Sequence, residues 1–507
     1  MSAIQSKGKA WLHRHAGLIV ALLAALTSLP FIDTVWLLAD EGIWLHAAQR
    51  MLRGQVLYRD FFEFHPPVGF LLIAGWQEMF GPSLVSARAL MVLVTAITAW
   101  FTFACCRIAS GRVRLSASLT LLWVIAGQGM WTQVNHHWFT TMFSMIALWG
   151  ALSAERRGGT AIAGIAASLA ALVTTHRGGL VVVSIFAGLV LDRQARRLPV
   201  YIIAGLACAA VVLGYLLAKG TAVAAFEQVV LYAMQHYSGI QAVPFGAFAS
   251  LQFLPALALY PLIAVLLAAS LWQDWRQVLA QRQVATLCLF ALAGLVGSFP
   301  RPDAVHIAFA AALALPLLAA LLAMALRAGR SPLVVAVMAI LAFAMTALPW
   351  VRAVQAAHAA PQVASAAGII KVLPRNGTGP LIAHLSAMPS AQKVFFYPYD
   401  PVLPFLTGKT HPARIDILVP EYSTPEQYRD TCAEIMRSAD WVVVDHKIST
   451  PAFYRAVFPA MRNPSPPEKR VFEKAIFEGF SVEQRMGDFL LLRREKPVTG
   501  ACNAISG

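Results

Sequence analysis

Apolar runs, most close to the ~20 residues that a helix needs to cross ~30 Å of hydrocarbon, recur through the first two-thirds of the chain. The first covers residues 16–38. Others follow at about 84–104, 115–130, 138–154, 160–175, 178–191, 200–218, 248–271, 284–299, 304–326 and 333–350. This pattern predicts eleven spans. The runs at 160–175 and 178–191 are short, so their connecting turn, His176-Arg177, is expected below the headgroup level. Irregular backbone and an arginine are tolerated there only beside protein or a water-filled cavity.

Between the first two runs the pattern changes. Residues 40–67, DEGIWLHAAQRMLRGQVLYRDFFEFHPP, hold an Asp-Glu pair, three arginines, two histidines, a further Asp and Glu, and a Pro-Pro stop. Residues 43–53 have helical apolar spacing with polar positions opposite, which predicts a helix lying in the membrane interface. Residues 68–80 are apolar but too short to span, and Gly81-Pro82 closes them. A second interfacial or half-embedded helix is expected there.

Beyond residue 350 the pattern shortens. Residues 351–365 are Ala-rich and read as a linker. Strand-like runs follow at 381–385, 393–397, 414–418 and 441–445, with a helical pattern at 424–438 and a hairpin pairing 480–485 with 489–494. The expected organisation is therefore a membrane domain at 1–350, with 39–83 as its first outer loop, the linker, and an α/β domain at 366–507. Asn376-Gly377-Thr378 matches a glycosylation sequon, although Asn-Gly is first a turn signal.

Charge assigns the sides. Lys7, Lys9 and Arg14 precede the first run, which exceeds a signal-peptide core and has no clear cleavage site after it. An uncleaved first span with a cytoplasmic N-terminus then places fifteen Lys and Arg residues on the cytoplasmic side, among them Arg107, Arg156, Arg157, Arg193, Arg282 and Arg330. The C-terminal domain falls outside. Composition agrees: 58% hydrophobic and 13% charged residues, with a mean hydropathy of +0.63, exclude a soluble globular chain. The net charge of +15 follows the loops and does not cluster with exposed aromatics, so a nucleic-acid partner is not indicated. Cys105, Cys106, Cys208 and Cys288 lie in apolar runs and read as packing residues. Cys432 and Cys502, in the polar part, are a candidate disulfide if that part is extracytoplasmic.

In this topology the dense polar clusters of the membrane part all fall on the outer face. Asp40 and Glu41 offer a base for an acceptor hydroxyl or a metal ligand, or simply end a helix. Arg59-Asp60 is either a phosphate ligand with its partner or an ordinary ion pair, and His65-Pro66-Pro67 is either a ligand or a structural stop. Arg301 and His306 could neutralise a lipid phosphate, with Asp303 orienting one of them, or could form a local ion pair. His176-Arg177 offers further phosphate ligands. Asn135-His136-His137 has only weak metal character, and Asp440 and Asp445 read as structural.

These residues resemble the GT-C superfamily of polyprenyl-phosphate-sugar glycosyltransferases, the group of the protein O-mannosyltransferases and the lipid A aminoarabinose transferase. The resemblance rests on Asp40-Glu41 directly after the first span, on Ala48, Leu52, Gly54, Tyr58 and Asp60, and on Pro66-Pro67 before a short apolar helix. Arg301-x-Asp303-x-x-His306 resembles a later motif of bacterial members. It implies an inverting transfer in a bacterial inner membrane, from a polyprenyl-monophosphate sugar to a periplasmic glycan, lipid or protein. In that scheme Asp40 is the base or acceptor-orienting acid, and Glu41 assists it or helps bind a divalent metal (Mg or Mn), with His137 as a further candidate ligand. Arg59, His176, Arg177, Arg301 and His306 face the donor phosphate, supported by Tyr58, Asp60, His65 and Asp303. Some members need the metal and others do not. This loop lacks the longer elaborations of eukaryotic members, and no acceptor motif is recognisable. A lipid-linked oligosaccharide ligase or polymerase with a diphosphate donor remains the alternative. A transporter or flippase fits less well, because the charges sit at span ends and no repeat is evident.

Overall fold

The computed structural model describes residues 2–36, 38–128, 132–153, 158–281, 283–329, 332–373, 376–495 and 500–505. Arg156, Arg157, Arg282 and Arg330, and Met130 at the end of the expected third span, lie outside the described residues. The chain divides into two compact units. The first comprises residues 1–31, 89–214 and 244–355, and the second residues 32–88, 215–243 and 356–507.

The first unit is helical, and the chain is a multi-pass membrane protein. Among the described residues six helices are long and apolar enough to cross a bilayer: Arg14–Phe31, Leu84–Ser110, Ala195–Ala218, Leu251–Ala280, Ala304–Arg327 and Pro332–Ala359. Shorter apolar helices span Val113–Gly127, Gly159–Ala171, Thr175–Leu191 and Val284–Val296. Their burial separates two environments. The apolar window of Ala304–Arg327 is 94% buried, whereas those of Ala195–Ala218 and Pro332–Ala359 are 6% buried. An apolar helix left open on nearly every side is stable only where hydrocarbon is the solvent.

Small residues let the shorter helices touch. A Cβ on Gly178 would lie 2.2 Å from the Ala170 carbonyl carbon, and one on Gly150 would lie 2.7 Å from the Gly159 carbonyl oxygen. The backbones of His136–Leu152, Gly159–Ala171 and Thr175–Leu191 therefore pack at close range.

The second unit holds both sheets. In one, β1 (Thr34–Val35) runs parallel to β3 (Gly368–Val372), and β3 pairs antiparallel with β2 (Gln362–Ser365). In the other, the order is β4 (Val394–Tyr397), β5 (Trp441–Asp445), β7 (Phe489–Arg494), β6 (Phe480–Met486). β4 and β5 are parallel, and β6 and β7 form the expected hairpin. Helices Pro425–Ser438 and Pro467–Gly479 cover this sheet through Tyr428, Ile435, Phe472 and Ile476. A disulfide joins Cys432 to Cys502, while Cys105, Cys106, Cys208 and Cys288 are free.

Several expectations are corrected. Residues 381–385 are helix, within Thr378–Ala387, because a short apolar run does not by itself distinguish a strand from a buried helical turn. Residues 414–418 are irregular, since Asp416 turns into a buried charge cluster there. Residues 351–365 are no linker: the Pro332–Ala359 helix runs through them and β2 follows. The first outer loop and residues 366–507 belong to the same unit, because β1 pairs with β3 and Phe62 and Phe64 enter its apolar clusters.

Candidate active site

Within the second unit the Glu41–Leu52 helix starts directly after the first span and β1. It is not an open interfacial helix: Glu41 to Ala48 and Arg50 are buried, the polar positions included. Two contacts fix its first turn. A Cβ on Gly42 would fall 1.9 Å from the Val402 amide nitrogen, so only glycine permits this approach. The Val402 amide in turn donates to the Leu38 carbonyl at 3.3 Å.

The two leading carboxylates then part company. Asp40 is partly exposed, and its Oδ1 accepts a short hydrogen bond from the Tyr399 hydroxyl. Glu41 is enclosed. Arg88 grips it with both arms, Nε to Oε1 at 2.9 Å and Nη2 to Oε2 at 2.6 Å, and both side chains are 0% exposed. Arg88 also donates to the Thr34 carbonyl in β1. Arg88 lies near the start of the apolar Leu84–Ser110 helix, and an arginine within an apolar run is the signal of a buried ion partner.

Further along the same helix, Asp416 receives His46 Nδ1 at 2.7 Å and Arg50 Nη1 at 2.7 Å, with His411 Nδ1 at 3.2 Å. Burial pushes the Asp416 carboxyl up, but these three cationic or hydrogen-bonding neighbours outweigh it and hold the group well below the usual carboxylate range. Burial pushes His46 down and takes His411 down to about 4. Glu63 is buried and raised well above the ordinary value, first by desolvation and then by the Asp416 charge.

The rest of the expected loop set is braced. Tyr58 sits at φ 70° and donates its hydroxyl to the His65 carbonyl at 2.6 Å. Gln228 ties both sides of the loop, through the Tyr58 carbonyl at 2.8 Å and the Glu63 amide at 3.0 Å. His65 packs against Trp44 and Phe64. Arg59 is 58% exposed and paired to its neighbour Asp60 at 2.9 Å, while Asp60 also accepts the Val56 amide at 2.7 Å. The structure thus brings Asp40, Glu41, Tyr58, Arg59, Asp60 and His65 into one unit.

The first unit holds the other group. Asp303 caps the Ala304–Ala310 helix through the His306 amide at 2.9 Å. The same carboxylate binds Arg301 Nε at 2.9 Å and His306 Nδ1 at 2.8 Å. That fixes the ring through Nδ1 and leaves Nε2 as the nitrogen for other partners. His306 meets the His137 ring edge-on at 4.9 Å, and His137 stacks on Phe309. Asn135 caps the helix that begins with His136 by accepting the His137 amide at 2.8 Å. His176 Nε2 and Arg177 Nε both reach the Gly297 carbonyl, at 3.2 and 3.3 Å. The charges of Arg177, and of His176 and His306 when protonated, act on His137. Basic groups outnumber carboxylates in this cluster, an arrangement suited to an anion.

Glu41 is not open to a divalent metal in this arrangement. Glu41 gives both oxygens to Arg88, and among the described residues no group of three or more His, Cys, Asp or Glu side chains is placed to hold an ion. Tyr399, His411 and Asp416 carry no local sequence signal, whereas Glu63 stands in the sequence only as one of the charges of the 40–67 loop.

No protein-family model and no curated protein matches the chain. Solved structures do. ArnT from Cupriavidus metallidurans bound to undecaprenyl phosphate superposes with a TM-score of 0.61 at 14% identity, over 97% of this chain and 99% of that one. The same enzyme in the apo state gives 0.54 at 15% identity, over 96% and 98%. The Archaeoglobus fulgidus oligosaccharyltransferase in complex with Zn and sulfate gives 0.51 at 13% identity, over 94% of this chain and 73% of that one. The mycobacterial arabinofuranosyltransferase AftD gives 0.52 at 12% identity, over 95% and 40%. Membrane helices, a polar loop after the first of them and a C-terminal sheet in this order make the fold that of the GT-C glycosyltransferases.

Proposed function

We propose that the protein is an inverting glycosyltransferase that moves a sugar from a polyprenyl-monophosphate donor to a periplasmic glycan, lipid or protein. The reading is carried by the correspondence to ArnT bound to undecaprenyl phosphate over nearly the full length of both chains. The disulfide Cys432–Cys502 supports an extracytoplasmic position for the sheets.

Asp40 is the base. It is the partly exposed member of the Asp-Glu pair, and the Tyr399 hydroxyl orients it. An acceptor hydroxyl attacks the anomeric carbon and gives its proton to Asp40. The anomeric C–O bond to phosphate breaks, and the lipid phosphate leaves with the bonding pair. Glu41 holds the turn that carries Asp40 through Arg88 and so acts as a positioning residue. Arg301, His306, His176 and Arg177 are the groups for the phosphate, with Asp303 fixing the first two. Arg59, exposed and paired to Asp60 as Arg301 is to Asp303, is a further group for the phosphate.

The test is transfer in proteoliposomes from a panel of radiolabelled polyprenyl-monophosphate sugars, with diphosphate-linked sugars in parallel and periplasmic extract as acceptor. One monophosphate donor should turn over, and Asp40→Asn should abolish turnover at normal expression. Transfer retained in Asp40→Asn removes Asp40 from the role, and turnover of diphosphate donors alone favours the ligase.

A further inference from the structure

A cavity of about 330 Å³ opens in the second unit at the carboxyl ends of the parallel strands β4 and β5. Its size is at the low end of the ~300–1,000 Å³ of small-molecule sites, and strand carboxyl ends are where open α/β sheets bind ligands. Tyr397 ends β4, and His446 follows β5.

The Pro467–Gly479 helix forms one wall. Lys469, Glu473 and Phe477 fall four residues apart on it, and all three line the cavity. Lys469 is 3% exposed and lies 2.7 Å from Glu473 Oε1. The Tyr397 hydroxyl donates to the same oxygen at 2.9 Å, so Oε2 takes part in neither bond. Phe477 is 51% exposed at the rim. His446, also in the lining, approaches Arg485 Nη2 through its Nε2 at 3.3 Å.

These features select the ligand's chemistry. Lys469 and Glu473 cancel each other's charge, so the pair gives no net attraction for an ion. The lining adds the hydroxyl-bearing Ser449, Thr450 and Ser465 to this network, polar groups that suit the hydroxyls of a sugar ring. An exposed aromatic face suits the C–H face of such a ring. We propose that this cavity binds a neutral pyranose ring, as a carbohydrate-recognition site separate from Asp40. The inference does not rest on the transferase reading.

The experiment uses the full chain in detergent micelles. Methyl glycosides of glucose, galactose and mannose, a methyl glucuronide and inorganic phosphate are titrated by calorimetry and by saturation-transfer NMR. At least one neutral glycoside should bind. Phe477→Ala and Glu473→Gln should each weaken it by about tenfold, the size of one lost aromatic or charge-assisted contact. Asp40→Asn should bind as wild type does. The proposal falls if no neutral glycoside binds, if binding survives both cavity variants, if Asp40→Asn removes it, or if only the glucuronide or phosphate binds. Phe477 is exposed, so its variant decides the matter even if Glu473→Gln fails to fold.

Discussion

Removing the Glu41 carboxylate should strand the Arg88 guanidinium. Both side chains are 0% exposed, and two hydrogen bonds of 2.9 and 2.6 Å join them. Breaking a buried pair from one side costs ~3–5 kcal/mol, because the remaining charge stays desolvated. A unit of roughly 150–250 residues loses about 2–4 °C of midpoint per kcal/mol, so Glu41→Ala should unfold about 6–20 °C below wild type. Replacing both partners by apolar groups of similar volume avoids the stranded charge. Glu41→Leu/Arg88→Met should therefore recover most of the loss. The assay is thermal unfolding in nanodiscs followed by tryptophan fluorescence, with Trp44 buried on the same helix as a reporter, at one scan rate for all variants. A Glu41→Ala midpoint within about 2 °C of wild type would refute the burial argument. A stable double variant that keeps expression but loses all transfer would refute the positioning role and return Glu41 to direct contact with substrate.

The other expectations concern neighbouring contacts. Tyr399→Phe removes the hydroxyl donated to Asp40 and should lower kcat about ten- to a hundredfold with KM little changed, the worth of a hydrogen bond to a charged group. An unchanged kcat in the proteoliposome assay would refute it. Stability should fall on acidification. An unfolded histidine takes its proton near pH ~6.5, and folded His411 does so only at about 4, so in this window the unfolded chain binds more protons. Asp416, depressed in the fold, adds a further loss as pH falls through its folded value. Midpoints measured from about pH 7 to 4 should drop, and less steeply in His411→Asn. The disulfide joins residues 70 apart, so Cys432→Ser should cost about 4 kcal/mol of loop-closure entropy. Non-reducing peptide mapping checks the bond, and thermal unfolding checks the cost.

Much of the fold was legible because lipid imposes one strong rule. Spanning helices must be long and apolar, so the runs at 84–104, 200–218 and 333–350 stand out by length alone, although the helices that hold them extend further, to 84–110, 195–218 and 332–359. The strand at 441–445 was legible as a short apolar run and the hairpin of 480–485 with 489–494 from its turn residues, whereas the parallel pairing of β4 with β5 was not. Residues 381–385 were not, since five mostly apolar residues carry no period long enough to separate helix from strand.

For the candidate site, the sequence by itself determined that Asp40 and Glu41 follow the first span and that Arg301, Asp303 and His306 share one turn, because local spacing brings such neighbours together. It could not separate the roles of two adjacent carboxylates. Only the tertiary structure did so, by bringing Arg88 onto Glu41 from 47 positions away and Tyr399 onto Asp40 from 359 away. The same holds for His46, Arg50, His411 and Asp416, which meet across more than 350 positions. Pairings at that distance depend on how whole elements pack, and no local period along the chain encodes them.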